Sequence, residues 1–183
     1  MYEQFKTRAV GVGAEVHRVA THGDAIEFIL SFLKQEGVAG LPGSYAVWAK
    51  GPFLEKVDQT LLQEVPGLSF EVTRERAAQA RVGISEMAFA VADTGSLVQD
   101  QAAPEQRLAS SLTGIHIALV PSANIVSDKT ALFTRINPKT SRYIAFITGP
   151  SRTADIERVL TIGVHGPERL IILFVDELEG GAK

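Results

Sequence analysis

ITGPSRTADIERVLTIGVHGPERLIILFVDE, residues 147–177, is the stretch whose reading decides the fold. One apolar run ends in Gly149-Pro150-Ser151-Arg152-Thr153, and a second, at residues 170–175, closes the segment. Between them Ile156, Val159, Leu160 and Gly163 recur at i, i+3, i+4 and i+7, a spacing that predicts a helix over residues 154–162. Ser151 or Thr153 can cap its start, and Asp155 and Glu157 suit the positive end of the helix dipole. With a strand at 143–148 this makes a right-handed βαβ unit. The turn at 149–153 then falls on the carboxyl edge of the sheet, where open α/β sheets hold ligands.

The rest of the chain alternates in the same way. Strands are expected at 14–20, 44–49, 68–73 and 116–120. Helices are expected from an Asp24 N-cap to Gly37, and over 53–64, 74–82 and 129–133, with another opened by Pro104. SEMAFAVADTGSLVQD, residues 85–100, lacks a helical period and reads as two strands joined at Asp93-Thr94-Gly95. No internal repeat, low-complexity tract or linker interrupts the pattern, so residues 1–183 read as a single domain. The fold class is α/β, a central, mostly parallel sheet covered on both faces by helices.

Composition narrows the function classes. The chain has 183 residues, 45% hydrophobic and 21% charged, with a formal net charge of -3. That balance argues against nucleic acid as partner. No apolar run reaches the ~18 residues of a membrane span, and no apolar signal segment follows Met1, so a cytoplasmic location is expected. There is no cysteine. Disulfides, a thiol nucleophile and any cysteine-ligated cluster carried by this chain are excluded. His17, His22 and His116 lack metal-site spacing, so no metal site is expected. No G-x-S-x-G elbow or P-loop spacing is present.

Two polar clusters are candidate ligand-binding elements. Gly149, Ser151, Arg152, Thr153 and Asp155 combine hydroxyls with a guanidinium that can fork onto a carboxylate. Capping explains most of this cluster but leaves Arg152 over, and the acidic neighbours favour a small monocarboxylate over a phosphate. Asp93, Thr94, Gly95 and Ser96 read either as a hairpin turn or as a polar platform at rigid strand ends. His165 is a candidate acid or base, or else the C-terminal cap of the expected helix. That helix would hold it about 14 Å from Ser151. Glu86, on the strand before the Asp93 turn, is the nearby candidate for the strand-end lysine or glutamate that an independent small-molecule enzyme would need. It reads more simply as an exposed strand residue, and Trp48 reads as core.

Taken together, AFAVADTGSLV, RLASSLTGIHIALVPSANIV and TGPSRTADIERVLTIGVHGPERLIILFVDE resemble the lactate-utilisation protein C family, the LUD-domain proteins. The resemblance is strongest over residues 83–177 and rests on element order alone further toward the N-terminus. Thr94-Gly95-Ser96 stands where many relatives have Thr-Gly-Thr, and the N-terminal part is shorter than in many members, which would reduce a partner surface built there. The resemblance implies a three-layer α/β/α domain similar to the glucosamine-phosphate deaminase, ribose-phosphate isomerase and CoA-transferase group. It also implies a role in oxidising L-lactate to pyruvate beside iron-sulfur and cysteine-rich partner proteins. No cofactor is then expected in this chain; the clusters would sit in the partners. Two other readings stay open: a stand-alone enzyme acting on a sugar phosphate or acyl-CoA, and a purely structural assembly subunit.

Overall fold

Six parallel strands form the spine of the molecule, in the order β1-β12-β7-β4-β2-β3. The computed structural model describes residues 1–100, 103–154, 160–163 and 165–178. The sheet comprises β1 (Glu15–Val19), β2 (Tyr45–Trp48), β3 (Leu68–Ser69), β4 (Ala80–Glu86), β7 (Ile115–Pro121) and β12 (Arg169–Val175). Its central strands are buried and mostly apolar because both faces are covered. Leu170 through Val175 are all 2% exposed or less, and each large side chain there contributes roughly 1.5–3 kcal/mol. The expected α/β class holds.

One face carries α2 (His22–Gln35), α3 (Pro52–Lys56) and α4 (Thr60–Gln63), packed on Ile84, Ile117 and Leu173. The other face departs from a plain helical layer. It holds α1 (Tyr2–Gly11), α5 (Arg74–Ala78), α6 (Pro104–Ser111) and a second sheet in the order β8-β5-β6-β9. That sheet consists of β5 (Phe89–Val91), β6 (Ser96–Asp100), β8 (Ile125–Val126) and β9 (Ile144–Ile147), with α7 (Lys129–Phe133) against its outer side. Phe5 and Ala9 of α1, one turn apart, are fully buried, and the Phe5 ring meets Phe174 edge-on at 5.2 Å.

Several sequence expectations are corrected. The N-cap of α2 is Thr21; Asp24 sits at the third helical position and returns the bond, its carboxylate accepting from Thr21 N–H at 3.0 Å. The helix expected over 53–64 is two short ones, because Asp58 accepts from both Thr60 N–H and Thr60 O–H and turns the chain. The helix expected over 74–82 stops at Ala78. Residues 80–86 become a central strand, since Val82 and Ile84 bury fully between β2 and β7. Burial outweighs alanine's helix propensity there.

The opening stretch changes most. Residues 143–148 lie in the second sheet, where β9 pairs antiparallel with β6, so they are not the first strand of a βαβ unit ending in β12. At the described ends of the expected helix, β10 (Arg152–Ala154) pairs antiparallel with β11 (Leu160–Ile162), and residues 155–159 lie outside the described residues. Ser151 extends this ladder: its N–H donates to Pro167 O, and its carbonyl accepts from Gly163 N–H. No helix starts there for Ser151 or Thr153 to cap. Asp155 and Glu157 lie outside the described residues.

Candidate functional site

Topology singles out one crevice. From β2 the chain passes through α3 and α4 to β3, over the face that holds α2. From β4 it leaves in the opposite direction, through the second sheet and α6, to β7. Neighbouring strands β2 and β4 therefore send their connections apart, and their carboxyl ends flank the gap where open α/β sheets bind ligands.

Lys50 and Gly51 follow β2 at this gap, and Glu86 ends β4. Glu86 shares the face of Val82 and Ile84, so its side chain turns toward α3. It is only 6% exposed. One carboxylate oxygen accepts from Phe53 N–H at 2.9 Å, and the Glu86 N–H donates to Gln106 Oε1 at 3.1 Å. The Gln106 amide donates in turn to Lys50 O at 2.8 Å. Gly51 lies so close that a Cβ there would stand 2.3 Å from Glu86 Oε1. The Glu86 carboxyl is pushed up to about 7: burial raises it most, the Phe53 N–H opposes the shift, and the nearby Glu55 charge adds a smaller rise.

Two cavities meet at Lys50. One, about 670 Å³, is walled by Phe70, Val72, Thr73, Ala103, Glu105 and Gln106 among others. The other, about 260 Å³, lies between Gly51, Leu54, Gln59 and Phe70. Both share Lys50 and Phe70.

A second feature lies further along the same edge. His22, after β1, places Nδ1 3.0 Å from Glu177 Oε2, and the same oxygen accepts from the His22 N–H at 2.9 Å. The His22 ring rests on Phe53 with centroids 5.3 Å apart, and its Nε2 is buried without a partner among the described residues. His22 also lines a cavity of about 530 Å³ with Ile26, Leu30, Val57 and Leu61. His116, by contrast, is sealed in the core. Its Nε2 bonds Ser85 Oγ at 2.8 Å, and burial lowers it to about 3.

The two clusters picked out by sequence converge on the end of α1. β5 and β6 do pair as a hairpin, and Gly95 in the turn between them takes φ +66°. A Cβ at Gly95 would come within 2.5 Å of Ala9 N, and one at Gly149 within 2.7 Å of Val12 O. Ser96 Oγ bonds Thr148 Oγ1 at 2.7 Å. Asp93 is exposed; Thr94 Oγ1 is buried with no partner among the described residues. Arg152, left over by capping, donates through Nη2 to Val12 O. Half of its fork is thus engaged by backbone. His165 is exposed in the turn before Gly166, and a Cβ on Gly166 would lie 3.2 Å from Ser151 Cβ. The ladder therefore brings Ser151 beside the loop of His165, where the expected helix would have held them apart.

Reading by sequence missed Lys50, Gln106 and the Glu177–His22 pair; it weighed Glu86 as a strand-end candidate but expected it to be exposed, whereas it is buried. The signal for Glu86 was faint: a lone glutamate after the short stretch Val82-Gly83-Ile84-Ser85. Which face it turned to depended on strand neighbours far away in the chain. Trp48 is core, as expected, fully buried against Phe53.

Among described residues no helix is long and apolar enough to cross a membrane. The chain is 35% identical over 114 residues to a protein named lactate utilization protein C from an Exiguobacterium species, covering 59% of this chain and 50% of that one. It is 28% identical over 159 residues to a protein of the same name from Oceanobacillus iheyensis, covering 84% of this chain and 65% of the relative. The chain thus spans about half to two thirds of these relatives. A crystal structure of a DUF162 family protein from Deinococcus radiodurans shares the fold, with a TM-score of 0.64 at 19% identity over 95% of each chain. The LUD domain model matches residues 2–175, nearly the whole described chain, and the protein belongs to the LUD-domain family.

Proposed function

We propose that this chain acts in L-lactate utilisation, the conversion of lactate to pyruvate, as a subunit or accessory protein without a redox cofactor of its own. The carrying observation is the 35% identity to a protein named lactate utilization protein C, in a chain that has no cysteine. Oxidising an alcohol to a ketone requires an electron acceptor. In this reading iron-sulfur clusters and cysteine-rich proteins supply it from outside the chain. The chain contributes a carboxylate-binding surface or a docking surface, with Asp93, Ser151 and Arg152 near the end of α1 as its polar groups. Deleting the gene should abolish growth on L-lactate as sole carbon source and leave growth on pyruvate intact. Equal growth on both would refute the reading.

A second reading, a stand-alone enzyme acting on a sugar phosphate or acyl-CoA, is favoured by one observation. Glu86 is a buried carboxyl at a central strand end that titrates near neutrality, as a general acid or base requires. Turnover of such a substrate by the purified chain alone would select it.

A further inference from the structure

The crevice between the carboxyl ends of β2 and β4 has the marks of a ligand site quite apart from the Asp93 and Arg152 clusters. Its charges are unequally employed. Glu71 is 3.9 Å from Arg76, and Glu105 lies in the first turn of α6, where the helix dipole favours it. Lys50 lines both cavities and has no ion-pair partner among the described residues. Phe70, Val72 and Ala103 give apolar walls beside it. A cavity of about 670 Å³ is within the usual size of small-molecule sites, roughly 300–1,000 Å³.

We propose that this crevice binds a small monoanion, a short-chain carboxylate, anchored by the Lys50 ammonium, with the protonation of Glu86 setting the charge of the site. One cation among several glutamates suits a single negative charge better than a phosphate dianion, and the apolar walls suit an alkyl body. Glu86 stands directly behind Gly51, and its main chain is tied through Gln106 to the Lys50 carbonyl. The charged and titratable groups around it are Glu55 from α3, Lys50 from the end of β2, Glu71 beyond β3, Glu105 from α6 and His22 across the Phe53 ring. Of these, Glu86 is the buried carboxyl that changes charge near neutrality. Protonated, it leaves Lys50 in command of the crevice; ionised, it repels the anion. The inference goes beyond the lactate reading and stands or falls separately, since growth tests the one and titration of the purified chain tests the other.

The test is calorimetric titration of the full chain with butyrate at pH 6 and pH 8, with amide chemical shifts to locate the site. Butyrate should bind about tenfold more tightly at pH 6, shifting the amides of Lys50, Gly51 and Gln106. Lys50→Gln should abolish binding at both pH values with an unchanged thermal midpoint, and Glu86→Gln, folded at both, should bind equally at both. Absence of binding at pH 6, or unaltered binding by Lys50→Gln, would overturn the site. A pH dependence that survives in folded Glu86→Gln would overturn the part given to Glu86. Tighter binding of L-leucine or inorganic phosphate than of butyrate would overturn the ligand class.

Discussion

Glu86 concentrates the conflict between stability and use at a single residue. Its carboxyl is raised from 4.5 to about 7, so the folded state holds the proton more tightly than the unfolded chain does. The stabilisation from that proton is complete below pH 4.5 and is lost as pH rises through about 7. At pH 8 the folded protein must keep a charge in a nearly dry place. Glu86→Gln keeps an acceptor for Phe53 N–H and removes the charge. It should therefore be more stable than wild type at pH 8, by up to about 3 kcal/mol, and near wild type at pH 5. Urea unfolding at the two pH values measures this, and an equal effect at both would show that Glu86 ionises freely. A residue that lowers stability at working pH is the kind a ligand site retains.

At the scale of the element, the placement of α6 is what joins Gln106 to Glu86 and Lys50. The helix lies directly on β4 because residue 83 has no side chain. A Cβ at Gly83 would stand 2.1 Å from Ala109 O and 2.6 Å from Thr113 Oγ1. Backbone cannot yield as a side-chain tip can, so Gly83→Ala should lift α6 and cost about 3 kcal/mol. Gly114→Ala, whose Cβ would meet Arg81 O at 3.3 Å, should cost less than about 1 kcal/mol. Thermal or urea midpoints of the pair check this, and equal losses would mean that α6 adjusts freely. The pairing of β10 with β11 carries the complementary lesson. The described residues on either side of 155–159 form a ladder that starts at Ser151, because its main-chain partners at Gly163 and Pro167 come from the return of the chain.

Across the whole molecule, α1 is the piece that ties the second sheet to the first. Phe5 and Ala9 bury between the central sheet and the β5–β6 hairpin, and Gly95 at the hairpin turn touches the backbone of Arg8 and Ala9. Gly37 has nearly the same backbone angle, φ +68°, but open space around it. Comparing the two isolates the docking contact from the strain. Gly37→Ala should cost about 1 kcal/mol, the penalty of a left-handed backbone. Gly95→Ala should cost at least about 2 kcal/mol more, because its Cβ would meet Ala9 N at 2.5 Å. Equal costs in chemical denaturation would show that α1 is not a tie. The same junction gathers Gly149, Arg152 and the Ser96–Thr148 bond, so the sequence-predicted clusters do share one region, beside helix backbone.

By itself the sequence determined the α/β class, the hairpin at Asp93-Thr94-Gly95, the helix opened by Pro104, and strands such as Ile115–Pro121. These depend on local patterns: two-residue alternation or unbroken apolar runs, a proline at a helix start, a glycine where φ must be positive. Only the tertiary structure decided that residues 80–86 extend, that 143–148 join a different sheet from 170–175, and that Ser151 lies beside the His165 loop. Each depends on a partner strand or carbonyl distant in sequence, and periodicity carries no information about such partners. The crevice at Lys50 and Glu86 belongs to this second class. A glutamate at a strand end becomes a buried acid only when topology sends β2 and β4 apart and lays Gly51 and α3 across it.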